Sequence, residues 1–105
     1  MMNILKQIFG IGSRINYSDL VKQGAIILDV RSKSEYANGH ITGSLNIPVD
    51  TLSNNMNKLK GKNKPIITCC ASGMRSAQAK SILNANGFSE VHNGGGWISL
   101  KNKIG

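Results

Sequence analysis

Two short apolar runs, residues 25–30 (Ala-Ile-Ile-Leu-Asp-Val) and 65–69 (Pro-Ile-Ile-Thr-Cys), stand out in the hydrophobic pattern of the chain. Nearly continuous apolar runs of this length, rich in β-branched residues, are typical of strands that are buried on both faces of a sheet. We therefore predict that they form central strands. Shorter strands are predicted at residues 14–17, 44–47 and 90–92, which makes five strands in all.

Between the strands, apolar residues recur at helical spacing. In the segment after the second buried run, for example, Ala79, Ile82 and Leu83 lie on one helical face. Helices are predicted at residues 18–24 with Ser18 as the N-cap, around residues 35–36, and at residues 49–59, 76–86 and 97–103. Such alternation predicts an α/β fold around a parallel sheet. No repeat or linker interrupts it, so we expect residues 1–105 to form one domain.

Residues 1–12 are expected to be an N-terminal extension of this domain. Ile4, Leu5, Ile8 and Phe9 form a short stripe at helical spacing, which gives a surface helix little affinity for a membrane. The segment lacks the charged start and the small-residue cleavage site of a signal peptide. No apolar run approaches the ~20 residues of a membrane span. We therefore expect a soluble protein without a membrane partner.

The net charge of +8 is a weak argument for nucleic acid binding. The lysines are scattered along the chain, and aromatic residues make up only 5% of it, so no stacking platform accompanies the charge. We expect a solvated basic surface that attracts small anions, and no nucleic acid partner. The sequence leaves the oligomeric state open, and a monomer is assumed.

The two cysteines, Cys69 and Cys70, are adjacent. Neighbouring α-carbons are too close for normal disulfide geometry, so both cysteines are expected to be free thiols. Free thiols indicate a reducing compartment, and we expect a cytoplasmic location. Two histidines and two adjacent cysteines do not match the spacing of a zinc site, so neither a metal nor another cofactor is expected.

Cys70 stands where the second buried strand gives way to a loop and then to a helix. A helix N-terminus and successive backbone N–H groups favour the thiolate over the thiol. Gly73 can adopt the positive φ that lets such amides converge on one anion. In parallel α/β folds, sites form at the carboxyl ends of strands. We therefore predict that Cys70 is a reactive nucleophile and not an inert buried thiol.

Five segments of the chain together resemble a rhodanese domain. They occur in the expected order within residues 14–103, at residues 29–31 (Asp-Val-Arg), 35–36 (Glu-Tyr), 39–48 (Gly-His-Ile-Thr-Gly-Ser-Leu-Asn-Ile-Pro), 70–76 (Cys-Ala-Ser-Gly-Met-Arg-Ser) and 94–97 (Gly-Gly-Gly-Trp). The resemblance implies a three-layer sandwich with a mostly parallel, five-stranded central sheet flanked by helices. It also implies a sulfurtransferase: Cys70 takes a sulfane sulfur from thiosulfate or a persulfide and passes it to a thiol, cyanide or protein acceptor.

The resemblance implies that Cys70 is the catalytic residue. The implied substrate-binding residues are those of the following loop and one arginine after the first buried strand: Ala71, Ser72, Gly73, Met74, Arg75 and Arg31. Either guanidinium could bind an oxyanion, or could brace the loop by pairing with Asp29 or Glu35. Bracing is favoured for Arg31, and both roles stay open for Arg75. His40 is expected to be structural, because an ionised cysteine needs no general base.

The spacing of cysteine and arginine leaves an alternative open. Four residues separate Cys70 from Arg75, as in the short loop of sulfurtransferases, whereas five separate Cys69 from Arg75, as in low-pKa cysteine phosphatases. Thr68 precedes Cys69, at the place where those phosphatases usually have a histidine. This favours Cys70, and not Cys69, as the nucleophile. Cys69 is then expected to face the opposite side of the sheet and to pack against a helix. The alternatives are a cysteine-based phosphatase or arsenate reductase relative, and a non-catalytic interaction module.

Overall fold

The computed structural model describes residues 15–59 and 63–105, and the predicted extension at residues 1–12 lies outside them. The elements in chain order are α1 (Tyr17–Lys22), β1 (Ile26–Asp29), α2 (Lys33–Ala37), β2 (Leu45–Asn46), a 3₁₀ segment (Val49–Leu59), β3 (Ile66–Cys70), α3 (Met74–Ala85), β4 (Val91–Gly96) and α4 (Trp97–Ile104). Within these ranges, none of the helices is both long enough and apolar enough to cross a bilayer.

The described strands form one parallel sheet in the order β2-β1-β3-β4. The two apolar runs of the sequence supply the central strands β1 and β3, which pair from Ile26 opposite Ile66 to Asp29 opposite Cys69. Helices flank the sheet, so the predicted α/β fold is confirmed. Because the strands are parallel, the carboxyl ends of β1 and β3 meet at the same edge of the sheet.

The sequence predicted five strands, whereas the described residues form four, because no strand forms at residues 15–17. Tyr17 instead begins α1. The side chain of Asn16 accepts a hydrogen bond of 2.9 Å from the backbone N–H of Asp19, and so caps the helix. The cap is therefore Asn16 and not the predicted Ser18, and this local bond directs the chain into a helix at the place where a strand was expected.

Apolar side chains cover both faces of the sheet, which gives the three layers that were predicted. On one face the strands pack against the 3₁₀ segment and α3, through Leu28, Val30, Ile66, Leu52, Leu59, Ala79 and Leu83. On the other face they pack against α1 and α4, through Ile27, Ile67, Cys69, Leu20, Val21 and Leu100. Side chains alternate along a strand. Cys69 and Cys70 therefore face opposite layers, as predicted.

The segment Val49–Leu59 is 3₁₀-helical, whereas the sequence predicted a continuous amphipathic helix. The predicted apolar face is present, since Leu52 and Leu59 are buried. The backbone is interrupted at Asn55 (φ −127°, ψ 22°), whose side chain donates a hydrogen bond of 2.8 Å to the carbonyl oxygen of Thr51. Asparagine side chains compete in this way with backbone hydrogen bonds, which explains the break.

Strand β4 continues through three glycines that were predicted to form a loop. A Cβ atom at Gly94 would lie 2.8 Å from both Cγ2 of Ile67 and the carbonyl oxygen of Thr68. Glycine is therefore what allows β4 to approach β3 here. The pairing shifts register between Thr68 and Cys70, which brings Gly96 opposite Cys70. The glycine run thus places the end of β4 beside Cys70, the predicted nucleophile.

Gly94→Ala should lower the free energy of unfolding by about 3 kcal/mol, because the added methyl group meets a backbone oxygen that cannot move aside. Denaturant unfolding monitored by circular dichroism measures the change. Gly87→Ala is the control: unlike Gly94, Gly87 has a positive φ (+91°), but a Cβ there meets nothing within 4 Å. Its expected cost is about 1 kcal/mol. Equal losses in the two variants would contradict this account of β4.

Candidate active site

Cys70 is the last residue of β3 and lies at the N-terminus of α3. Its Sγ accepts a hydrogen bond of 2.9 Å from the backbone N–H of Gly73 and a longer one of 3.4 Å from the backbone N–H of Ser76. Gly73 has a left-handed conformation with φ of 106°, which turns its amide back toward the sulfur. Of the amides of residues 71–75 that were predicted to surround Cys70, that of Gly73 donates to Sγ, and Ser76 in the first turn of α3 supplies a second amide.

Ser76 completes the surroundings of this sulfur. Its side chain is buried, and its Oγ lies 3.6 Å from Sγ of Cys70. Burial by itself raises the pKa of the Cys70 thiol. Hydrogen bonds from the Ser76 hydroxyl and from the amides of Ser76, Gly73 and Ser72 outweigh burial and hold the pKa below its ordinary value. This environment agrees with the nucleophilic thiolate that the sequence predicted.

Access to Cys70 is narrow. The residue is only 1% exposed, whereas Ala71 and Ser72 are exposed and Met74 is 81% exposed. Strand β4 closes one side of the loop, since a Cβ at Gly96 would lie 3.0 Å from the carbonyl oxygen of Ala71. The loop and β4 therefore leave little of Cys70 exposed.

Cys69 has a different environment. Its side chain is fully buried in the layer formed with α1 and α4. Burial, together with the charge of Asp29, raises the pKa of the Cys69 thiol to about 12. A thiol of this kind is not ionised at neutral pH and is a poor nucleophile. Of the two adjacent cysteines, only Cys70 has the surroundings of a nucleophile.

Arg75 forms a bidentate ion pair with Glu35 of α2. Nη1 lies 2.7 Å from Oε1, and Nη2 lies 3.0 Å from Oε2. Glu35 also accepts a hydrogen bond from the backbone N–H of Ser32, as part of the capping box of α2. The Arg75 guanidinium, followed by the Ser32 hydrogen bonds, lowers the pKa of Glu35 to about 2. Of the two roles left open for Arg75, this arrangement is the bracing one.

Arg31 is buried, and its donors are occupied by the protein. Its Nη2 lies 2.7 Å from Oδ2 of Asp29 and 2.7 Å from the carbonyl oxygen of Gly39, while Nε contacts both oxygens of Asp29. The guanidinium also stacks over the ring of Trp97, 4.6 Å from its centroid. The structure therefore places Arg31 as a brace between β1, the loop after α2 and α4, which is the role favoured from the sequence.

His40 is not among the described hydrogen-bond partners of the Cys70 sulfur. Its ring stacks on Tyr36 with 3.7 Å between the centroids, and Nδ1 is 2.7 Å from the carbonyl oxygen of Tyr36. This is the structural role that was predicted. In the two described ranges, no cluster of three or more His, Cys, Asp or Glu side chains is suited to hold a metal ion.

Asn93 is a site residue that the sequence analysis missed. Its Oδ1 lies 2.6 Å from Oγ of Ser76 and accepts a hydrogen bond from the amide of Gly95 at 2.9 Å. It therefore links β4 to the helix that holds the sulfur. A polar residue before a glycine run carries no local signal of such a contact, because only the pairing of β3 with β4 brings Asn93 to Ser76.

Comparison with known proteins gives one consistent family. The model of the rhodanese-like domain matches residues 15–102. YqhL of Bacillus subtilis, an uncharacterized protein, is 36% identical over 69 residues, which cover 66% of this chain and 54% of that protein. The thiosulfate sulfurtransferase GlpE of Pseudomonas fluorescens is 32% identical over 81 residues, which cover 77% of this chain and 73% of that protein.

Solved structures agree with the sequence relatives. A rhodanese-like domain protein from Staphylococcus aureus superposes with a TM-score of 0.66 and 32% identity, over 80% of this chain and 86% of that one. The coverage differs among the curated relatives. The chain spans about half the length of the uncharacterized relatives that it matches.

Alkylation should distinguish the two cysteines. At neutral pH, iodoacetamide should label Cys70 in the native protein, because its pKa is lowered, and should leave Cys69 unlabelled until the protein is unfolded. Peptide mass spectrometry locates the label. The rate at Cys70 should reach half its maximum below about pH 8.5, the pKa of a free cysteine. Earlier labelling of Cys69, or a midpoint above that value, would contradict the proposed environments.

Acid should weaken the brace formed by Arg75 and Glu35. The folded pKa of Glu35 lies near 2, below its ordinary value of 4.5, so its carboxylate stabilises the fold above pH 4.5 and this contribution is lost as the pH falls toward 2. Glu35→Gln should therefore show a shallower fall of unfolding free energy across this window than the wild type. Arg75→Gln removes the main cause of the shift and should do the same. An unchanged slope in Glu35→Gln would refute the coupling.

Proposed function

Because this chain belongs to the rhodanese-like domain family, we propose that it is a sulfurtransferase that carries a sulfane sulfur on Cys70. The observation that carries the proposal is the pair of hydrogen-bond donors that converge on one sulfur at a helix N-terminus, the backbone amides of Gly73 and Ser76. Such donors stabilise a sulfur anion, which is the form of the nucleophile before attack.

The reaction has two displacement steps. In the first, the Cys70 thiolate attacks the outer sulfur of thiosulfate; a bond forms between the two sulfur atoms, and sulfite leaves with the electron pair of the broken S–S bond. In the second, a thiolate or cyanide attacks the outer sulfur of the persulfide, and the electron pair returns to Cys70. With a persulfide donor, the leaving group of the first step is a thiolate. No external oxidant or reductant is required.

The same hydrogen bonds serve both steps. Stabilisation of the Cys70 thiolate raises its population at neutral pH, which favours the first attack. It also makes Cys70 a better leaving group when the acceptor removes the outer sulfur. In the loaded state the outer sulfur is the anion, and backbone amides of residues 71–75 are the candidates to hold it.

The narrow access to Cys70 favours donors with a terminal reacting atom. The outer sulfur of thiosulfate or of a persulfide protrudes from the rest of its molecule, so it can reach a residue that is only 1% exposed. The net charge of +8 attracts anionic donors. Thiosulfate is also the substrate named for the relative GlpE. We therefore propose a small anionic sulfur donor, with a thiol, cyanide or protein as the acceptor.

Two observations argue against a phosphatase or arsenate reductase. The fork of Arg75 is bound to Glu35, so it is not available as a bidentate oxyanion ligand. The cysteine with the phosphatase-like spacing, Cys69, faces the opposite layer, and its pKa is raised to about 12. A non-catalytic interaction module would leave the donors around Cys70 without a use.

We place the activity in the cytoplasm. Cys69 and Cys70 are both free thiols, and the proposed cycle needs Cys70 to be protected from oxidation between turnovers. A reducing compartment meets that requirement. We propose that the catalytic unit acts as a monomer, since the described donors to Cys70 all come from one chain.

Exposure to thiosulfate should add one sulfur atom to Cys70. Intact mass spectrometry after removal of the donor measures the adduct, and addition of cyanide should remove it. Cys70→Ser should show neither the adduct nor sulfur transfer. Cys69→Ser, the matched control one residue away, should retain most of both, because its thiol lies on the other face of the sheet. No variant should hydrolyse a small aryl phosphate.

Absence of the adduct with thiosulfate and also with a persulfide donor would leave the interaction module as the better account. Loss of sulfur transfer in Cys69→Ser, or hydrolysis of the phosphate ester by the wild type, would show that the loop has been assigned to the wrong cysteine.

A further inference from the structure

The hydroxyl of Ser76 carries one proton and has three hydrogen-bond partners: two oxygen acceptors and the sulfur of Cys70, which accepts only as a thiolate. Its Oγ lies 2.6 Å from Oδ1 of Asn93, 3.0 Å from the carbonyl oxygen of Gly73 and 3.6 Å from Sγ of Cys70. A serine hydroxyl donates one hydrogen bond at a time, so these groups compete for the proton. The shortest contact is the one with Asn93.

The amide group of Asn93 has a defined orientation. Its Oδ1 accepts a hydrogen bond of 2.9 Å from the backbone N–H of Gly95, and its Nδ2 lies 3.4 Å from the carbonyl oxygen of Gly73. If the side-chain amide were flipped, its NH₂ group would face the N–H of Gly95 and its oxygen would face the carbonyl oxygen of Gly73, and both contacts would be repulsive. Oδ1 is therefore the atom that faces Ser76, and the hydroxyl proton points toward Asn93.

While the hydroxyl proton points to Asn93, the Ser76 hydroxyl cannot donate it to the sulfur, so Asn93 limits the contribution of this hydroxyl to the ionisation of Cys70. When the Ser76 proton points to Asn93, a lone pair of Oγ faces the sulfur and can accept the thiol proton. A thiolate instead requires the hydroxyl as a donor, so the hydroxyl must turn away from Asn93. Ionisation of Cys70 therefore competes with the hydrogen bond between Ser76 and Asn93, in opposition to the amides that favour the thiolate.

We propose that Asn93 is a positioning residue that limits the ionisation of Cys70 by holding the hydroxyl proton of Ser76. Its role in sulfur transfer rests on the proposed function. In the persulfide the negative charge lies on the outer sulfur and no longer on Sγ, so the hydroxyl can return to Asn93. The hydrogen bond is thus broken in the empty thiolate and restored in the loaded state, and Asn93 favours sulfur loading.

Other ionisable groups lie on the elements that pack around Cys70. Arg75 on α3 and Cys69 on β3 interact electrostatically with it. On β1, Asp29 is paired with Arg31, and on β4, His92 lies 3.2 Å from Glu90. Removal of the Asn93 amide leaves each of these groups in place. A shift in the ionisation of Cys70 in such a variant can therefore be attributed to the hydroxyl proton.

The pH–rate profile for alkylation of Cys70 by iodoacetamide tests the proposal without any sulfur transfer. Asn93→Ala removes the closest acceptor of the hydroxyl proton and leaves the carbonyl oxygen of Gly73, at 3.0 Å, as the weaker competitor. The midpoint should therefore move to lower pH, and the thiolate fraction on the acid side should rise by up to about fivefold, the effect of one hydrogen bond. In the Ser76→Ala background, the same substitution should leave the midpoint unchanged. Asn84→Ala, at an exposed position of α3, is the control and should not move the midpoint.

Asn93→Asp provides a second variant should Asn93→Ala disturb the fold. It keeps an acceptor for Gly95 and strengthens the one for Ser76, so the midpoint should rise, and should rise more with Ser76 present than in Ser76→Ala. An absent or upward shift in Asn93→Ala, or equal shifts with and without Ser76, would overturn the proposal. The sulfur adduct on Cys70 is measured separately by mass spectrometry. Failure of the proposed sulfurtransferase function and failure of the proposed role of Asn93 therefore give different results.

Discussion

The hydrogen bond of 2.9 Å from the amide of Gly73 to Sγ of Cys70 is the interaction on which the rest of the site depends. It requires a left-handed residue in the loop, and the resulting turn starts α3 so that the amide of Ser76 also points at the sulfur. Strand β4 passes beside this loop, since a Cβ at Gly73 would lie 3.5 Å from Cα of Gly95, an ordinary van der Waals contact. The loop, the first turn of α3 and the end of β4 therefore all lie around the sulfur atom of Cys70.

Two ion pairs brace the elements around this loop, and the guanidinium donors described for both are directed at protein oxygens. Arg31 with Asp29 is buried at the end of β1, and Arg75 with Glu35 joins α3 to α2. Because both guanidinium groups are bound by carboxylates, recognition of an anionic sulfur falls to backbone amides and to one hydroxyl. The backbone amides are fixed by the fold and need no reorganisation when the charge moves from Sγ to an outer sulfur, whereas the Ser76 hydroxyl turns between Asn93 and the sulfur.

The parts of the structure that follow local patterns were predictable. The apolar runs supplied β1 and β3, alternation along β3 placed Cys69 and Cys70 on opposite faces, and the strand–loop–helix order identified Cys70. The contacts made across the fold were not predictable. Glu35 meets Arg75 from forty positions away, and Asn93 reaches Ser76 only through strand pairing. Glycine is rare in strands, which is why residues 94–96 were assigned to a loop.

A crystal structure of the protein after treatment with thiosulfate would test the central claim most directly. The account predicts one additional sulfur bonded to Sγ of Cys70, within hydrogen-bond distance of the amides of the following loop, with Cys69 unmodified and Arg75 still paired with Glu35. Additional sulfur on Cys69, or an oxyanion bound by Arg75 after separation from Glu35, would contradict it.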